Sequence, residues 1–390
     1  MLSERARVDR AENPLAVALS ARRKARQPIV DLTVSNPTVA AIPYEESAIV
    51  EACADRRLIR YEPNPRGSVP AREAIARELS TDGPIVDPDR ILVTASTSEA
   101  YAFLLKLFCD PGDEILVPQP SYPLFELLGR FESVRLTPYE ISYDGRWFVD
   151  LDSVRRAISP RTRAIFAVSP NNPTGSYVKR DELKALTSFG IPLVCDEVFG
   201  RYPLDADADR ARTALEANAR VFVLGGLSKL VGLPQVKIGW LIAGGPEKEA
   251  QLALDHLEII ADTFLSVSTA SMLALPALLS SGATTRNAIL ARCSSNLTFL
   301  KRFCGEHPLL TLLHVEGGWY ATLRLPATRT DEAWALALLD QHGALVQPGY
   351  FFDFAESAVI VLSLLTEPET FAQGVALLAC CVEHGDTKII

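Results

Sequence analysis

No window of these 390 residues reaches the ~18 continuous apolar positions that a membrane-spanning helix needs. The start of the chain, charged from Ser3 to Arg10, also lacks the apolar run of a signal peptide. The seven cysteines (Cys53, Cys109, Cys195, Cys293, Cys304, Cys380 and Cys381) are odd in number, form no Cys-x-x-Cys pair and have no histidine companions. That excludes a disulfide framework and a zinc ribbon, gives no metal site to expect, and reads the cysteines as reduced core residues. Positive charge is in deficit: the formal net charge is -9, which works against binding nucleic acid or an anionic membrane. The basic cluster Arg22, Arg23, Lys24 and Arg26 closes an expected helix, where cations complement the helix dipole. Internal repeats, low-complexity stretches and linkers are missing as well. The expectation is a cytoplasmic globular protein with no nucleic-acid or membrane partner and, at this length, more than one closely packed domain.

What is present is a rhythm of short apolar runs and helix-forming stretches. Strands are expected over residues 91–94, 114–117, 134–137, 164–168 and 192–195, and helices over 98–108, 122–131, 151–158 and 180–189. Strands buried on both faces and separated by helices imply an α/β fold, with a mostly parallel central sheet covered by helices on both faces. Ahead of it the pattern predicts helices over 15–27, 45–60 and 69–79, with a short strand over 29–34. Beyond Pro246 come helices over 252–264, 269–279 and 285–303, short strands over 312–314, 319–323, 345–347 and 359–363, and a last helix opened by Pro368. These later elements read as a smaller α+β domain. The expected division is a large domain of residues 42–282 and a small domain of residues 1–41 with 283–390.

Ligands on such sheets sit at the C-terminal ends of the strands, and the polar residues of interest fall there. Lys229 lies in a small-residue turn, Gly225-Gly226-Leu227-Ser228-Lys229, between two apolar runs. An apolar flank lowers an amine's pKa and leaves part of it neutral and nucleophilic. Asp196 ends a buried strand, where a carboxylate is costly without a cationic partner. Asn172 sits in Pro170-Asn171-Asn172-Pro173-Thr174-Gly175, a turn that also has a plain structural reading. Thr97 and Ser98 open a helix after a strand, which makes an anion site and an ordinary N-cap at once. Tyr122, in Pro120-Ser121-Tyr122-Pro123, follows the next strand.

Read in order, Tyr61 with Gly67, Thr97-Ser98-Glu99-Ala100, Pro120-Ser121-Tyr122-Pro123, Asn172-Pro173-Thr174-Gly175, Asp196-Glu197, Ser228-Lys229 and Gly317-Gly318-Trp319-Tyr320 resemble the fold-type I, class I/II aminotransferases that depend on pyridoxal 5'-phosphate. The resemblance implies that Lys229 forms the internal aldimine and shuttles the proton, that Asp196 pairs with the pyridine nitrogen, and that Asn172 holds the phenolate oxygen. It implies that Tyr122 stacks on the ring and that Thr97, Ser98, Ser228 and Lys237 hold the phosphate. Tyr61 would reach the phosphate of a neighbouring subunit, hence a homodimer with shared sites. The activity implied moves an amino group from an amino acid or amine donor to a 2-oxo acid acceptor. A β-lyase or decarboxylase on the same scaffold is the nearest alternative, and a non-catalytic regulator is more distant.

Three departures stand out. Phe199 replaces the family's tyrosine, Lys237 replaces a phosphate arginine, and Val361 falls where the arginine clamping the substrate carboxylate belongs. No arginine follows Arg329. Arg60, Arg66 and Arg324 are the candidate replacements, with Arg66 first, and Asn36 in the turn Ser35-Asn36-Pro37-Thr38 joins Arg66 and Arg324 as a candidate substrate residue.

Overall fold

The structure, a computed structural model, describes residues 2–8, 10–81, 83–206 and 209–384; Met1 and residues 385–390, the extremes of the expected small domain, lie outside them. In chain order the helices are α1 (Pro14–Lys24), α2 (Glu46–Cys53), α3 (Val69–Leu79), α4 (Thr97–Phe108), α5 (Leu124–Glu132), α6 (Leu151–Ala157), α7 (Arg180–Ser188), α8 (Leu227–Leu230), α9 (Glu247–Phe264), α10 (Thr269–Ser281), α11 (Ala283–Glu306), α12 (Asp331–Ala337) and α13 (Pro368–His384). The strands are β1 (Val30–Asp31), β2 (Ile91–Thr94), β3 (Glu114–Gln119), β4 (Arg135–Tyr143), β5 (Trp147–Val149), β6 (Thr162–Val168), β7 (Leu193–Asp196), β8 (Val221–Gly226), β9 (Gly239–Ala243), β10 (Thr311–Leu312), β11 (Tyr320–Arg324), β12 (Ala344–Leu345), β13 (Gln347–Pro348) and β14 (Val359–Ser363).

Eight strands form the central sheet in the order β2-β9-β8-β7-β6-β3-β4-β5. The run β8-β7-β6-β3-β4 is parallel, while β9 is antiparallel to both neighbours and β5 to β4. Strands β2, β7, β8 and β9 are buried along their whole length, which explains why they read as unbroken apolar runs. Two apolar clusters cover the sheet, one of them including Val223, Cys195 and Ala274 and the other Leu224, Val194 and Leu104. A third gathers Leu15 and Leu32 with residues of α11, β11, β14 and α13. It is built on the four-stranded sheet β10-β11-β14-β13. Among the described residues no helix is long and apolar enough to cross a membrane.

The differences from expectation have local causes. The helix expected over 45–60 stops at Cys53, because Asp55 accepts from the Arg57 amide at 2.8 Å and starts a separate 3-10 turn, Arg56–Ile59. The stretch expected as a loop after residue 137 is a hairpin: β4 runs on to Tyr143 and returns as β5, with Tyr143 and Trp147 in edge contact at 4.9 Å. Asp144-Gly145 at its turn is the residue pair that favours such a reversal. Helix α12 was not anticipated, although Thr330 caps it by accepting from Ala333 at 3.2 Å.

Candidate active site

The strand order gathers the C-terminal ends of β2, β8, β7, β6 and β3 at one edge, with the start of β9 between the first two: Gly239 pairs with both Thr94 and Gly226. Asp196 is the last residue of β7 and is buried. Alternation along the strand sends Cys195 to one face of the sheet and Asp196 to the other. There the Tyr101 hydroxyl donates to Asp196 Oδ2 at 2.9 Å and the Val198 amide donates to Oδ1 at 3.0 Å. Burial pushes the Asp196 carboxyl up to about 6, against the pull of those two donors and of Lys229. The protein thus holds a carboxylate that lacks a full cationic partner.

Lys229 follows β8 on the one-turn helix α8. Burial lowers its pKa, with Asp196 acting the other way. Its Nζ lies 5.3 Å from the centre of the Trp319 ring and 5.8 Å from that of Phe199. The Tyr202 hydroxyl donates to the Lys229 carbonyl at 2.6 Å, which fixes the helix without engaging the amine.

Asn172 is buried and its Oδ1 has no hydrogen-bond partner. The neighbouring Asn171 performs the structural task of the turn: its Nδ2 donates to the Pro120 carbonyl and to Thr174 Oγ1, both at 3.0 Å, while its Oδ1 accepts from Ser121 at 3.2 Å. This ties the loop carrying Tyr122 to the loop carrying Asn172. Gly175, at φ +73, packs so closely on the Gly317 carbonyl that a Cβ would sit 2.7 Å from it. That approach brings Trp319 to Lys229. Tyr122 itself is 49% exposed, a flat face left uncovered by its own chain.

Ser96 caps α4 by accepting from Glu99 at 3.1 Å, so Thr97 and Ser98 occupy the first turn with their amides at the helix N-terminus. A Cβ on Gly239 would stand 2.8 Å from Ser96 C and 2.9 Å from Thr97 N. Only glycine lets β9 begin against that turn. Lys237, exposed and left-handed at φ 58, ψ 57, lies two residues before it, and Ser228 lies across from it beside Gly226. Strained backbone at a non-glycine residue is a recurrent mark of a ligand clamp.

The substrate candidates are dispersed. Arg324 is committed to Glu356, with contacts of 2.8 Å from Nε and 2.6 Å from Nη2. Arg60 lies 2.9 Å from Glu62 on the surface. Arg66 acts electrostatically on Asp89, in the turn that precedes β2, while its Nε and Nη2 are buried without a partner. Asn36 Oδ1 caps the 3-10 turn Pro37–Val39 through Thr38, at 3.1 and 2.8 Å. Val361 is fully buried, paired with Thr322 and Gln347. Tyr61 is 74% exposed.

Sequence reasoning missed Tyr101, Trp319 and Asn171 as parts of the site. Tyr101 carried a signal, since it stands one turn after Thr97 on the buried face of α4. Its hydroxyl favours the ionised Asp196. Tyr101→Phe therefore raises the Asp196 pKa further above about 6 and moves the acid limb of cofactor binding upward, by about 1 to 2 pH units for a hydrogen bond to a charged group. Absorbance titration of cofactor binding between pH 5 and 8, on wild type and variant, checks this; superimposable curves would refute it.

The residues fit pyridoxal phosphate on grounds internal to the structure. The buried Asp196 calls for an N–H or cation, and the Gly239 contact opens the α4 N-terminus beside Lys237. No group of His, Cys, Asp and Glu that could hold a metal ion occurs among the described residues.

Comparison with known proteins gives a family match over residues 27–370, to the family described as aminotransferase class I and II. The chain is 26% identical to glutamate-pyruvate aminotransferase AlaA of Escherichia coli K12 over 238 residues, spanning 60% of this chain and 59% of that protein. It is 27% identical to arginine–pyruvate transaminase AruH of Pseudomonas aeruginosa over 346 residues, 85% of this chain and 86% of that one. The structure of an alanine aminotransferase from Pyrococcus furiosus superposes with a TM-score of 0.89 at 22% identity, covering 98% of this chain and 100% of that chain.

Proposed function

This chain belongs to the class I and II aminotransferases, and from that premise we propose that it is a pyridoxal-phosphate enzyme moving an amino group from an amino acid donor to a 2-oxo acid. The observation that carries the reading is one sheet edge holding a half-buried amine of lowered pKa, Lys229, and a buried carboxyl of raised pKa, Asp196. When bound, the cofactor supplies an electron sink beside the donor's amino nitrogen. Asp196 would hold a ring N–H and favour its protonation, and the Asn172 amide N–H would donate to the phenolate oxygen. Thr97, Ser98 and Ser228 offer donors to the phosphate, with Lys237 adding a point charge in place of an arginine fork. Tyr122 covers one ring face. Lys229, neutral in part because it is half-buried, takes a proton from the donor carbon at Nζ and delivers it again. Phe199 and Trp319 keep water from that amine.

The reading places the cofactor in a large domain of residues 42–282, beside a small domain of residues 1–41 and 283–390, in a cytoplasmic homodimer. Tyr61 would cross to the other subunit's phosphate. Exposed Ile59 and Tyr61, with Leu252, Ile259 and Phe264 along α9, support such a partner face.

For the substrate carboxylate we assign Arg66, reached from the neighbouring subunit, because its Nε and Nη2 lack protein partners while Arg324 and Arg60 are engaged. A charged hydrogen bond of about 1.5 to 3 kcal/mol makes Arg66→Ala weaken α-amino acid use by about one to two orders of magnitude. Single-turnover spectra with L-alanine, L-glutamate and their decarboxylated amines test both proposals. Wild type should prefer the acids and return to its starting spectrum on adding a 2-oxo acid. Preference for the amines would remove the carboxylate assignment, and ammonia release without an oxo acid would replace transfer with elimination.

A further inference from the structure

A cavity of about 560 Å3 lies apart from the site above. It lies against the opposite face of the same strand ends, where Cys195 and Glu197 point, whereas Asp196 points to Tyr101. Among the described residues its walls carry four guanidinium groups, Arg201, Arg210, Arg212 and Arg286, against one carboxyl, Glu197. The Arg201 Nη2 donates to the Glu78 carbonyl at 2.7 Å and to Thr81 Oγ1 at 3.0 Å, and Arg286 is paired with Glu78. Arg210 stacks its guanidinium over the Tyr177 ring at 4.9 Å, but its Nη1 is buried with no hydrogen-bond partner. Glu197 offsets this charge only in part, because burial pushes its carboxyl up to about 7. Thr213, Asn287 and Tyr177 add polar atoms, and an apolar stretch of wall includes Leu215, Trp240 and Ile242. Gly225 contributes by having no side chain: a Cβ there would stand 2.4 Å from the Trp240 indole nitrogen.

A buried guanidinium nitrogen without a partner loses its hydration and gains nothing, so the site is incomplete as the protein alone. A volume of this size, with an apolar stretch of wall beside convergent charged and polar groups, can enclose a small molecule. We propose that this cavity is a second ligand site, for a small amphipathic anion whose carboxylate or phosphate meets Arg210 and whose apolar body lies along Leu215 and Trp240. The wall includes Glu197, next to Asp196, and Gly225-Gly226, just ahead of Ser228 and Lys229. A bound anion therefore touches the backbone that presents both groups, from the side opposite the substrate.

Calorimetry on the cofactor-loaded protein, with phenylacetate, phenyl phosphate and uncharged phenylacetamide as probes, tests this. The expected result is one site per chain for at least one anion and none for the amide; comparison of the two anions identifies the preferred head group. The site should persist in Lys229→Ala, lose about ten- to a hundredfold in affinity in Arg210→Gln, and disappear in Leu215→Trp, which fills the cavity. Should Arg210→Gln fail to fold, Leu215→Trp decides alone. The proposal is overturned if neither anion binds folded wild type, if the amide binds as well, or if binding survives both cavity variants or is lost in Lys229→Ala.

Discussion

Lys229→Ala folds, melts close to wild type and transfers no measurable amino group. The side chain is an amine held between rings, and Tyr202 anchors only its backbone carbonyl, so truncation leaves the scaffold of β8 and α8 in place. Removing a half-buried amine also removes its partial desolvation cost. What disappears is the proton carrier at Nζ, worth roughly 10²- to 10⁴-fold by itself, together with the covalent hold on the cofactor. Dialysis should then strip the cofactor from the variant and not from wild type. Turnover within tenfold of wild type, with melting unchanged, would remove Lys229 from the chemistry.

Asp196→Asn gives the second large effect, with opposite signs in two measurements. Amino transfer should fall by about 10²- to 10³-fold, as for other single electrostatic groups placed against developing charge, because the amide cannot keep a ring nitrogen protonated. The cofactor-free variant should nonetheless be at least as stable as wild type at pH 7. The sign follows from the folded carboxyl being raised from 3.8 to about 6: its contribution to stability is present below the lower value and is lost as pH rises through the upper one. Asparagine has no such loss. Thermal melts of the cofactor-free proteins from pH 4 to 7 should therefore converge at the acid end and separate toward neutrality. Parallel melts would mean that Asp196 is satisfied by the protein alone.

The residues legible in the sequence are those whose identity the chemistry demands. Lys229, Asp196 and Asn172 stand out in the sequence through the ordered family pattern, since alone the lysine reads as a surface group and the turn around Asn172 as a plain turn. Tyr101 and Trp319 were harder to see, since an aromatic residue on an apolar face reads as core, and only the fold reveals the hydroxyl at 2.9 Å from Asp196 or the ring at 5.3 Å from Lys229. The fold class followed from the apolar strands, and its local errors came from short-range bonds. Asp55 ends a helix that helix propensity would continue, and Asp144-Gly145 turns a strand whose return is three residues long. The cavity behind the sheet had no sequence signal at all, because Arg201, Arg210 and Arg286 converge only in three dimensions.

The central claim is a covalent cofactor held by one amine out of all the lysines in the chain. Borohydride reduction of the cofactor-loaded protein, followed by proteolysis and mass mapping, tests it most directly. The account predicts the reduced pyridoxyl phosphate adduct on the peptide containing Ser228-Lys229 and on no other. An adduct on a different lysine, or none on a protein that binds the cofactor stoichiometrically, would contradict it.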